Sequence, residues 1–111
     1  MAYYLVKAKP RGNLMGELHE KLARGVFRSL DPYGKELTRS LLAARVDPET
    51  GDILWEEEDY CSPPLAQERS AVLDQYFEDI EVKRVKQGKG WSMISDLPHL
   101  WDKGEESAEK G

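Results

Sequence analysis

The sequence predicts an α+β sandwich with elements in the order β-α-β-β-α-β, and four stretches carry that prediction. Residues 41–60 read as one β-hairpin about Asp47-Pro48-Glu49-Thr50-Gly51-Asp52. In that turn proline pre-sets one backbone angle, aspartate bonds its own chain two residues on, and glycine accepts a positive φ. Residues 2–9 alternate as a strand that stops at Pro10-Arg11-Gly12. Two further stretches, 14–24 and 63–77, repeat apolar side chains at helical spacing.

Taken in order, the first strand presents Tyr4, Val6 and Ala8 on one face and Tyr3, Leu5, Lys7 and Lys9 on the other. Asn13 then caps a short helix in which Leu14, Leu18 and Leu22 recur every four residues, ending at Gly25. Asp31-Pro32 opens a helical turn or two through Leu37. The hairpin strands run from Leu41 to Val46 and from Ile53 to Tyr60. With Asp47 opposite Asp52, Val46 faces Ile53 and Arg45 faces Leu54. Ser62 and Pro63 begin a second main helix whose stripe is Leu65, Val72, Leu73, Tyr76 and Phe77. Residues 80–85 form the last strand.

Two split βαβ halves joined by a hairpin define a ferredoxin-like sandwich: a four-stranded antiparallel sheet, order 4-1-3-2, with two main helices on one face. In this reading the first and third strands are parallel neighbours at the centre. The uncovered face carries Tyr3, Leu5, Ala43, Leu54, Tyr60 and Val85 among Lys7, Arg45, Glu56, Glu58, Glu81 and Lys83. So many large apolar groups call for a cover. The expected cover is a second copy, closing an α+β barrel, with the apolar segment 86–101 packing on the domain or on that copy. The domain itself spans 1–85, and 102–111 reads as a disordered acidic tail. In layout the chain resembles the small dimeric α+β barrel proteins, at the level of topology alone.

The net charge of −5 conceals an asymmetry, because residues 1–45 carry a net +5 and residues 46–82 a net −11. The two regions are expected to face each other, within the fold or across a subunit contact. So acidic a chain is a poor match for nucleic acid. The lone Cys61, the lack of a basic leader before a long apolar run, and the lack of a membrane-length segment point to a cytoplasmic protein.

Parallel central strands bring the loop Lys9-Pro10-Arg11-Gly12-Asn13 beside Asp59-Tyr60-Cys61-Ser62, at an edge where both helices begin. Lys9, Arg11, Gly12, Asn13 and Ser62 are therefore the candidate ligand-binding residues, suited to a small anion. Cys61 ahead of a helix is a candidate reactive thiol. His19, Asp59 and Tyr60 are candidate proton carriers. His99, between Pro98 and Leu100, has no stronger claim. The run Glu56-Glu57-Glu58-Asp59 splits across two faces, which favours charge balance with the basic first strand over metal binding. Glu57 and Asp59 are its odd members, because they continue the core-facing series of Ile53 and Trp55 and an acid there needs a partner.

No metal and no cofactor is called for by these patterns. The functional expectation is a non-enzymatic ligand-binding or protein-interaction module acting as a homodimer. Its interaction residues are Tyr3, Leu5, Leu54, Trp91, Leu97, Leu100 and Trp101. The alternative is a small dimeric barrel enzyme moving protons on a small anionic metabolite.

Overall fold

Four strands, β1 (Ala2–Pro10), β2 (Arg45–Val46), β3 (Ile53–Asp59) and β4 (Phe77–Val85), form one open antiparallel sheet in the order β2-β3-β1-β4. This computed structural model describes residues 2–59 and 62–101. The expected acidic tail, Tyr60 and Cys61 lie outside the described residues. On one face of the sheet, Val6, Ala8, Ile53 and Trp55 are buried under Leu18 and Leu22 of α1 (Met15–Ala23) and Leu37 and Leu41 of α2 (Gly34–Leu42). Val72, Leu73 and Tyr76 complete this core from a third helical run, with Leu65 just ahead of it. That run consists of α3 (Ala66–Glu68), a π turn (Arg69–Leu73) and α4 (Asp74–Tyr76). The ring of Phe77 packs on Trp55 at 5.2 Å between centroids.

The hairpin turn forms as its residues dictate. Asp47 and Asp52 close it through the Asp47 amide, which donates to the Asp52 carbonyl at 2.9 Å, and Gly51 takes φ +81°. The expected register holds, with Val46 on Ile53 and Arg45 on Leu54. The first strand of the hairpin is much shorter than expected, because α2 continues to Leu42. Leu37 and Leu41 stand one helical turn apart and both reach the core, and this spacing outweighs the strand-like look of residues 41–46. Asn13 does not cap α1. A 3₁₀ turn, Gly12–Leu14, precedes that helix, and no side chain caps either element. Asp31-Pro32 lies ahead of α2 rather than opening it, and the third helical run begins at Ala66, three residues beyond Pro63.

β1 and β3 are neighbours at the centre, but antiparallel: Ala8 stands opposite Ile53 and Ala2 opposite Asp59. The cause is the connection itself. The helical crossover makes β1 parallel to β2, and the tight hairpin then turns β3 against both. β4 also runs antiparallel to β1, with a bulge where Asp79 takes φ +53°.

Residues 86–101 pack on their own domain. α5 (Lys89–Met93) sits on the second face of the sheet, where Glu56 accepts the amides of Gly88, Gly90 and Trp91. The chain then passes along the β2 edge: Val46 donates to Pro98, Leu100 donates to Ala44, and Arg45 bridges to His99. It finishes on the helical side, where the Trp101 indole donates to the Leu41 carbonyl at 2.7 Å and stacks on His19. The segment is a strap from one face to the other. Among the described residues no helix is long and apolar enough to cross a membrane.

Candidate functional site

Antiparallel central strands separate the two halves of the crevice expected from the sequence. Lys9, Arg11, Gly12 and Asn13 lie at the end of the sheet beside Ile53, whereas Asp59 and Ser62 follow the other end. The helices after β1 and β3 likewise begin at opposite ends. The grouping of the Lys9–Asn13 loop with Asp59 and Ser62 on a common rim is thereby corrected.

The cations at the β1 end are already in ion pairs. Lys9 Nζ meets Asp52 Oδ1 at 3.0 Å and Arg11 meets Glu78 at 3.2 Å, while Lys7 lies 3.6 Å from Glu81. A depression of about 280 Å³ there is lined by both lysines together with Asp52, Asp79 and Glu81. Its lining therefore offers no net positive charge to an anion. The basic first half of the chain does face its acidic middle, within the fold. Gly12, Asn13 and Ser62 are exposed. His19 is half-buried against Trp101 at 4.5 Å between ring centroids, in a structural stack. His99 is exposed, held by its backbone. Tyr3, Leu5 and Leu54 stay half-buried on the second face. Trp91, Leu97, Leu100 and Trp101 are half-buried in the strap.

The chemistry that the structure does assemble is a cluster of buried carboxyls. Glu57, Asp59 and Glu68 are each at most 4 % exposed. β3 aims Glu57 and Asp59 into the core by simple alternation after Ile53 and Trp55. The Trp55 indole donates to Glu57 Oε1 at 2.9 Å, and the Leu65 amide donates to Asp59 Oδ2 at 2.6 Å. That second bond holds Leu65 in the left-handed region at φ +63°, a conformation that costs a leucine roughly 1–3 kcal/mol. Glu68 stands between the two strand acids and shares hydrogen bonds with both.

Two of the three, Glu57 and Glu68, tolerate burial by holding their protons. Glu57 Oε2 is buried without a hydrogen-bond partner among the described residues, the surroundings of a neutral carboxyl rather than an anion. Burial first, and then the charges of Glu68 and Asp59, hold the Glu57 carboxyl well above the usual range. Burial and a hydrogen bond to Asp59 push Glu68 up to about 7. Among the described residues no group of three potential ligands is arranged to hold a metal ion.

Sequence reasoning picked out Glu57 and Asp59 but missed Glu68. Its signal was present, since Glu68 falls three residues after Leu65 and four before Val72, on the apolar stripe itself. Also missed was the state of the two sheet edges. The β2 edge is closed by the strap, while among the described residues β4 pairs on one side only. Along β4, Glu81, Val82, Lys83 and Arg84 are all exposed. No protein-family model, no curated protein and no solved structure matches the chain.

Proposed function

We propose that the chain is a non-enzymatic protein-interaction module, ferredoxin-like in plan, that acts as a homodimer. The observation that carries this reading is the contrast between the two sheet edges. A two-residue edge strand is closed by the chain's own strap, and a nine-residue edge strand is left open among the described residues. An unpaired edge of that length is a template for another strand. The rest of the molecule supports the same reading: the cations first suited to an anion are paired with neighbouring acids, and the buried acids are packed in the core.

Sedimentation velocity tests it. A species of twice 12.7 kDa at micromolar concentration is the expected result. A monomer across the accessible range contradicts the reading.

One observation favours the second reading, a small enzyme that moves protons on an anionic metabolite. Glu68, pushed up to about 7, titrates where a general acid or base works best. Titration of the Glu68 carboxyl by NMR against a panel of small carboxylates and phosphates separates the two. A ligand that displaces the titration favours the enzyme, and an unmoved curve leaves the interaction module.

A further inference from the structure

We infer that the free edge of β4 pairs with β4 of a second copy, antiparallel about a two-fold axis at Val82, joining two four-stranded sheets into one. This rests on the homodimer reading above and names its surface.

The pattern of charge along the strand commits the proposal to a second copy. β4 reads Glu78-Asp79-Ile80-Glu81-Val82-Lys83-Arg84, acidic in its first half and basic in its second. Charges on edge strands ordinarily discourage pairing, and they do so when the approaching strand carries the same sign. A strand of split sign behaves differently toward its own copy. A parallel copy in register sets like on like, whereas an antiparallel copy sets acid on base.

Register can be argued further. A two-fold axis normal to one continuous sheet keeps each residue on its own face, so the axis must pass through a residue position. With the axis at Val82, Glu81 faces Lys83 of the copy on both sides, Ile80 faces Arg84, and Val82 faces itself. Moving the axis to Glu81 sets that glutamate against its own copy, and moving it to Lys83 does the same for the lysine. Only the Val82 register joins opposite charges and sets no like charges together. It also covers the exposed apolar side chain on this stretch, since Val82 is 36 % exposed. The bulge at Asp79 bends the strand and limits the pairing to about Ile80–Arg84.

Charge exchange tests the interface in the full-length chain. Glu81→Lys alone, or Lys83→Glu alone, places like charges across the axis twice and is expected to weaken dimerisation about tenfold or more. The double variant E81K/K83E restores complementarity and is expected to recover the dimer. Thermal unfolding of each variant separates loss of pairing from loss of fold, because Glu81 also pairs with Lys7 within the chain. A second measurement is independent of charge. Val82→Cys, made with Cys61→Ser, sets two thiols on directly opposite residues, within reach of a disulfide, and is expected to cross-link on mild oxidation. The same change at Ile80 is expected not to. A dimer that ignores the charge exchanges and does not cross-link at 82 overturns the β4 interface while leaving the homodimer reading intact. A wild-type monomer up to roughly 100 µM overturns both.

Discussion

Glu56 Oε1 accepts the Gly90 amide at 2.7 Å, and this bond anchors the C-terminal strap to the centre of the sheet. The same carboxyl takes the amides of Gly88 and Trp91, so one acid on β3 supplies the N-terminal cap that α5 otherwise lacks. Glu56 is only 4 % exposed, and a Cβ on residue 90 would lie 3.2 Å from its own.

Glu56→Ala is therefore expected to free α5 and lower stability by about 1–3 kcal/mol, the usual loss for buried hydrogen bonds to a charged group. Hydrogen exchange checks it. The amides of Gly88, Gly90 and Trp91 should exchange fast in the variant, while those of β1 stay protected.

Glycine substitutions should divide sharply. At Gly34 an added Cβ would collide with the Phe27 carbonyl, a backbone atom that cannot step aside. Gly34→Ala should cost more than about 3 kcal/mol or prevent folding. Gly16, in α1 with nothing within 4 Å of an added Cβ, should do the reverse. Gly16→Ala should stabilise by about 0.5–1 kcal/mol. Denaturant midpoints at one pH compare the two.

Much of the fold was legible because local chemistry and tertiary packing agreed. The Asp47–Asp52 turn, its register and the two faces of β1 follow from turn residues and alternation. Glu57 and Asp59 stood out for the same reason, as acids on an apolar face. Two features were hidden by competition. Leu41 and Leu42 suit a strand as well as a helix, and contact with the core across Leu37 and Leu41 decides for the helix. The role of Glu56 depends on where a distant segment lands, and nothing in the run Glu56-Glu57-Glu58-Asp59 states that three amides will arrive. The direction of β3 was misjudged for a different reason. It follows from combining the crossover with the hairpin, and treating β1 and β3 as a parallel pair ignored the hairpin between them.

The carboxyl cluster makes stability fall as pH rises. Glu57 and Glu68 hold their protons more tightly in the folded chain than in the unfolded one. Their stabilisation is complete below the ordinary carboxyl range and is lost as pH rises through the folded values, about 7 for Glu68. Melting temperature should therefore drop between pH 5 and pH 8. Glu57→Gln, which keeps the shape without the titration, should flatten that drop. An unchanged pH profile in this variant would mean that Glu57 ionises normally.

Trp101 closes the strap, so Trp101→Ala should loosen it from the far end. Losing the stack on His19 and the bond to the Leu41 carbonyl should cost about 1–3 kcal/mol. Val46 and Leu100 amides, which hold the strap to the β2 edge, should then lose protection in hydrogen exchange.

The most direct measurement is amide exchange along β4 at two protein concentrations, one above and one below the midpoint of association. Half of the amides between Ile80 and Arg84 point to β1, and the other half point outward. The outward half should exchange slowly in the concentrated sample and become fast on dilution, while the inward half does not change. Outward amides that exchange fast at every concentration would contradict a paired β4 edge.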